Sequence, residues 1–138
     1  MQAELEVIMG RFGADSGTIH MIEEGILILK AHAGIPPHLV EIITRVPIGK
    51  GMAGLAAERN EPVSKCNIQG DQSREVQPRA KETGVSGAAV VPIRDRQGNA
   101  VGVLGIGVYR HHEYSDAELA RLFQEAALLG LPKSNRLK

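Results

Sequence analysis

The sequence predicts an α+β fold: one antiparallel sheet with helices on its faces. Two pairs of β-branched and aliphatic runs, 18–22 with 26–31 and 87–93 with 100–108, are each joined by a short polar link. Strands connected by such tight hairpins must run antiparallel. Apolar residues at helical spacing mark both ends of the chain, and 138 residues suffice for a single domain with one core.

Leu5, Ile8, Met9 and Phe12 share a helical face, and Gly13 follows where a left-handed residue ends a helix, predicting a helix within residues 1–13. Asp15-Ser16-Gly17 is turn chemistry, and Glu23-Glu24-Gly25 closes the first hairpin. Pro36-Pro37 suits a helix start, with Leu39, Ile42 and Ile43 on one face. After Val46-Pro47 a glycine run leads into Met52, Leu55, Ala56 and Ala57, and the segment, ending in Glu58-Arg59-Asn60, reads as a third helix of about ten residues. Pro62–Cys66 reads as a short edge strand. The polar stretch 67–84 reads as a long loop with a helical piece near 78–83; long loops inside compact domains are usually functional or mobile. Asp95–Asn99 turns the second hairpin. Ser115 with Glu118 forms a capping-box signature for a last helix over 115–130, which Gly130 and Pro132 stop.

Composition excludes several classes. Sixteen Lys and Arg balance sixteen Asp and Glu, leaving no basic excess for nucleic acid or an anionic membrane. No apolar run approaches the roughly 20 residues that span a bilayer, and MQAELEV lacks the pattern of a signal peptide, so a soluble cytoplasmic protein is expected. Cys66 is the single cysteine, which rules out an internal disulfide and a multi-thiolate metal site. With no Trp, two Phe and two Tyr, the core must be aliphatic.

Residues 48–54, IGKGMAG, place Gly49, Gly51 and Gly54 in G-x-G-x-x-G spacing. A dinucleotide fingerprint needs a strand feeding the first glycine and a parallel strand after the helix, and neither is predicted. A Walker A loop fails because Lys50 lies between glycines and no Ser or Thr follows. The expected role is structural: Gly49 and Gly51 make a tight turn, and Gly54 lets the helix approach the sheet. No anion is expected there.

The whole chain resembles a GAF domain. The resemblance rests on ADSGTIHMIEEGILILKAHAGIP (14–36), VPIGKGMAGLAAERNEPVSKCNIQGD (46–71), AKETGVSGAAVVPIRDRQGNAVGVLGIGV (80–108) and EYSDAELARLFQEAA (113–127). It implies a GAF-like fold: a sheet of about six antiparallel strands, the terminal helices on one face, and on the other a ligand cavity covered by the helix and loop spanning 66–85. It also implies a sensory or regulatory module acting as a homodimer through its terminal helices or on a partner in trans. GAF domains reuse one scaffold for many ligands, so the ligand is left open.

One branch of the family reduces free methionine-R-sulfoxide, which needs a thiolate and resolving cysteines. Cys66 has no internal partner, so a reductase or thiol sensor using Cys66 is the alternative; the expected Cys66 is a small, buried residue at a strand end. A degenerate GAF domain serving only dimerisation is a further alternative. Bilin attachment is not indicated, since Asn67 follows Cys66. Nor do His20, His32, His38, His111 and His112 show metal-ligand spacing, and nothing points to haem or nucleotide. His20 and His32, on strands, are expected half-buried and hydrogen-bonded, with His111 and His112 facing water. The candidate ligand-binding residues are Cys66, Asp71, Arg74, Arg79 and Lys81. The implied ligand is small and anionic or zwitterionic, although a merely solvated loop accounts for the same charges.

Overall fold

The computed structural model describes residues 1–72, 76 and 78–131. In chain order the elements are α1 (Gln2–Phe12), β1 (Ser16–Glu23), β2 (Ile26–Ala33), α2 (Pro37–Ile43), β3 (Arg45–Pro47), α3 (Gly51–Arg59), β4 (Val63–Lys65), 3₁₀ turns at Ile68–Gly70 and Pro78–Thr83, β5 (Gly87–Arg94), β6 (Ala100–Val108) and α4 (Asp116–Leu129). The strands form one six-stranded sheet in the order β3-β2-β1-β6-β5-β4, every pair antiparallel. Both expected hairpins form, and the sheet joins them through β1 and β6.

Alternation along the strands divides the core between two faces. On one, Leu5 and Ile8 of α1 and Leu122, Ala126 and Leu129 of α4 pack with Ile19, Val91, Ile93, Leu104 and Ile106. On the other, Ala56 and Ala57 of α3 pack with Leu27, Val90 and Val103. A register shift in the first hairpin sets Ile19 opposite Ala31 but His20 opposite Leu29. This bulge lets Leu27 and Ala31, an even number of positions apart, serve opposite faces.

The helix ends follow local chemistry. Gly13 closes α1 at φ +60°. Ser115 accepts from the Glu118 amide while the Glu118 carboxylate accepts from the Ser115 amide, a complete capping box on α4. Gln2 bonds the backbone of His32 through both amide atoms, at 2.8 and 3.2 Å, tying the start of α1 to β2. Among the described residues, no helix is long and apolar enough to cross a membrane.

Four local expectations need correction. Residues 45–47 form β3, against Ile26–Ile28 of β2; three residues ending in proline carry almost no strand signal, and proline is tolerated because this strand is an edge. Cys66 is exposed rather than buried. It follows β4, the other edge strand, whose outer side pairs with no strand among the described residues. The His32 side chain is exposed, its backbone doing the bonding. His112 is half-buried, 2.8 Å from Glu118 Oε2 and edge-on to Tyr114. The stop expected at Pro132 lies outside the described residues.

In the glycine run, Gly49 (φ +91°) and Gly51 (φ +65°) occupy left-handed backbone, as a tight turn into α3 requires. A Cβ on Gly54 would stand 2.6 Å from the Pro47 carbonyl oxygen and 3.0 Å from the Gly49 nitrogen. The close approach is thus to the end of β3 and the helix's own entry turn. Gly54→Ala should cost about 1–3 kcal/mol, since backbone on both sides must shift. Gly10→Ala, where a Cβ meets nothing within 4 Å on exposed α1, should stabilise by about 0.5–1 kcal/mol. Urea unfolding of the two variants checks both signs.

Candidate functional site

The face of the sheet that carries α3 is only partly filled. Between it, α2, the first turn of α3 and the 3₁₀ turn at Pro78–Thr83 lies a cavity of about 530 Å³. That volume falls within the usual range for small-molecule sites, roughly 300–1,000 Å³. Thr18 and His20 of β1 and Val90 of β5 form its sheet wall. Leu39, Ile42 and Ile43 of α2 stand on one side; Val46, Pro47, Met52 and Ala53 stand on another. Val76, Ala80 and Thr83 close part of the remainder. The wall is predominantly aliphatic.

Its charges are of one sign. Arg45, Lys50 and Arg79 line the cavity and are exposed, which sets them at its mouth, and among the described residues no acidic side chain lines it. Arg79 Nε lies 3.8 Å from Glu82, and His38 on α2 lies 3.4 Å from the same carboxylate. Among the described residues, Arg45 and Lys50 make no ion pair. The first turn of α3 adds to the positive character. No side chain caps this helix. The Gly49 and Lys50 amides are already bonded to Gly54 and Pro47. The next residues, Gly51, Met52 and Ala53, begin the helix and line the cavity, at the end where unpaired amides and the helix dipole favour an anion.

His20 is the buried polar group of the wall, 2% exposed. Its Nε2 lies 2.8 Å from the Ile43 carbonyl oxygen. A carbonyl only accepts, so Nε2 carries the proton and Nδ1 presents a lone pair. That Nδ1 is buried, with no hydrogen-bond partner among the described residues. Burial pushes the imidazole pKa below its ordinary value of 6.5, opposed by the bond to Ile43. The ring is therefore neutral at pH 7.

Of the sequence candidates, Arg79 lines the cavity. Asp71 does not; it is largely buried and lies 3.5 Å from Lys65. Lys81 does not, and its carbonyl accepts from Gln69 at 3.0 Å. Cys66 also lies off the cavity wall, its carbonyl accepting from the His112 amide at 3.0 Å. Arg74 lies outside the described residues. Sequence reasoning missed Arg45, Lys50, His20 and α2 as a wall. The signal was present: Arg45 precedes the glycine run and Lys50 lies within it, and Thr18 and His20 alternate with Ile19. Among the described residues, no cluster of three or more His, Cys, Asp or Glu side chains could hold a metal ion.

The lowered pKa of His20 has a stability consequence. Below pH 6.5 the unfolded chain binds a proton at this residue that the folded chain resists. Stability from this residue is therefore fully present above 6.5 and is lost as pH falls toward the folded value. His20→Gln, whose amide still donates toward Ile43, should flatten the fall in urea midpoint between about pH 7 and 5 relative to wild type.

A comparison with curated protein sequences finds no match. Solved structures match closely in shape. The GAF domain of a phosphoenolpyruvate-protein phosphotransferase from Coxiella burnetii superposes with a TM-score of 0.76 at 23% identity, over 91% of this chain and 75% of that one. The type II free methionine-R-sulfoxide reductase of Thermoplasma acidophilum gives 0.76 at 23% identity, over 94% and 86%. A domain assigned to a two-component sensor histidine kinase protein of Sinorhizobium meliloti gives 0.73 at 22% identity, over 93% and 84%. At these identities the likeness shows a shared fold, and the six-stranded antiparallel sheet with its helices is the fold they share. The GAF domain family model matches residues 1–130, and the chain belongs to the GAF domain family.

Proposed function

We propose that the chain is a non-enzymatic sensory module that binds a small anion with an apolar body in this cavity, and acts as a dimer or on a partner protein. The cavity carries the reading: aliphatic walls of about 530 Å³ with Arg45, Lys50 and Arg79 at the mouth. A molecule seated there removes apolar surface from water while its charge stays at the rim, beside those cations and the first turn of α3. The phosphotransferase and sensor-kinase neighbours support a regulatory role. Exposed Val7 on α1 and Leu128 on α4 give the terminal helices apolar surface for a second copy or a partner.

The reductase neighbours favour a second reading, in which the exposed Cys66 thiol does redox chemistry. Its position off the cavity wall separates thiol from bound molecule, and the chain has no second cysteine to resolve a sulfenate.

Calorimetric titration with phenylacetate, 3-phenylpropionate and octanoate tests the primary reading. At least one acid should bind, and its uncharged amide should bind about fivefold more weakly. Arg45→Ala, Lys50→Ala and Arg79→Ala should each weaken the acid by a similar factor, less at high salt. Ala53→Phe should remove binding by filling the cavity. Acids that fail to bind, or amides that bind equally well, would overturn it. For Cys66, mild peroxide followed by mass spectrometry should show oxidation no faster than that of a free model thiol; rapid oxidation recycled by thiol would favour the redox reading.

A further inference from the structure

We propose that Glu82 is an internal competitor for the acid: its carboxylate bridges Arg79 and His38 at the rim of the cavity, and a bound acid takes Arg79 from it. This inference rests on the cavity reading above and names the residue that restrains anion binding at that site.

The turn that carries Glu82 is fixed from behind. Ala80 packs against Ile68, Val76, Val85 and Ala88. The Thr83 hydroxyl donates to the Ala80 carbonyl at 2.6 Å and accepts from the Val85 amide at 3.1 Å. The Gln69 side-chain amide donates to the Lys81 and Val85 carbonyls at 3.0 and 2.8 Å. In a 3₁₀ turn, side chains three residues apart stand one above the other, so Arg79 and Glu82 share a side. That side faces outward, since both residues are exposed.

Glu82 uses its two oxygens on two walls of the cavity. Oε2 lies 3.8 Å from Arg79 Nε, on its own turn. Oε1 lies 3.4 Å from Nε2 of the exposed His38 on α2; a carboxylate only accepts, so the imidazole N–H donates. α2 is bonded to the sheet at its C-terminal end, through the Ile43 and Thr44 carbonyls. Among the described residues, the contact from His38 to Glu82 is the side-chain bond that links its first turn to another element.

The three mouth cations therefore differ. Among the described residues, Arg79 alone of them pairs with a carboxylate. An acid at Arg45 or Lys50 meets an unmatched charge, whereas at Arg79 it exchanges one carboxylate for another. An exposed ion pair is weak, so the exchange is open to a bound acid. The gain at Arg79 is still reduced by what the Glu82 pair contributes, and two carboxylates beside one guanidinium repel each other. The restraint requires a charge on the bound molecule and the Arg79 side chain, and it needs neither Arg45 nor Lys50.

Phenylacetate, 3-phenylpropionate and octanoate, each beside its uncharged amide, are titrated calorimetrically into the full chain and into Glu82→Gln. An acid that binds wild type should bind Glu82→Gln about two- to fivefold tighter, a gain that shrinks at high salt, while its amide binds both alike. Combined with Arg79→Ala, the substitution should no longer tighten the acid; combined with Arg45→Ala, it should tighten it as before. Glu82→Ala should repeat these signs, which assigns the gain to loss of the carboxylate rather than to a new amide contact. An acid bound no more tightly by Glu82→Gln than by wild type, or a gain that persists without Arg79, overturns the competition and leaves the cavity reading intact. Failure of every acid to bind overturns both.

Discussion

The sheet must be covered on both faces, and the rest of the structure follows from how unequally the chain does so. β5 and β6 are adjacent interior strands of the sheet and are buried along nearly their whole length. Strands buried on both faces need apolar residues pointing both ways, hence the near-continuous GAAVVPI and VGVLGIGV runs. One face receives α1 and α4, whose Leu, Ile, Met and Phe side chains interdigitate with Ile19, Leu104 and Ile106 into a closed core. The opposite face receives α3, whose fully buried residues are Gly51, Gly54, Ala56 and Ala57, with Met52, Ala53 and Leu55 only partly buried beside them. The strand positions below are small too: Gly105 has Thr18 and Val90 as the nearest side chains to its bare Cα. In a chain with so few aromatics, small residues on both sides of an interface leave volume that nothing fills.

That volume is a shaped cavity because α2 is held away from the sheet at a fixed distance. Two bonds at its C-terminal end do this. The Leu29 amide of β2 donates to Thr44 at 2.9 Å, and His20 of β1 donates to Ile43 at 2.8 Å. Only Leu39 of the helix is fully buried; Ile42, 44% exposed, faces the cavity without being covered. A seven-residue helix gains little stability by itself, so its position depends on these tethers. The histidine thus serves two roles with two atoms: Nε2 sets the wall, and Nδ1 faces the consequences of burial.

Local chemistry made most of the fold legible. The two hairpins, the αL glycine after α1 and the Ser115–Glu118 box are determined within a few residues of themselves, and the structure has all of them. β3 was not legible, since three residues have too little pattern and pair only because β2 offers a free edge. The exposure of Cys66 depends on β4 being an edge strand, a property of strand order rather than of neighbouring residues. For the site the difficulty was similar. The family resemblance placed a cavity on the correct face, and charge in the 67–84 loop drew attention to Arg79, which lines it. Arg45 on β3 and Lys50 in the turn after it line the same mouth, in a stretch whose glycine spacing suggested only packing. His20 looked like any strand histidine until the fold placed the Ile43 carbonyl against one nitrogen and, among the described residues, no hydrogen-bond partner against the other.

The glycine run shows how one device acquires two functions without conflict. Its positive-φ residues bend the chain so sharply that the Gly49 and Lys50 amides are consumed within the turn. The same bend aims the uncapped start of α3 at the cavity, so a packing motif delivers a positively polarised wall. Charge at a solvent-open mouth acts at range, is screened by salt and distinguishes poorly among anions. Under the proposed function, the mouth would select by charge and the aliphatic interior by shape.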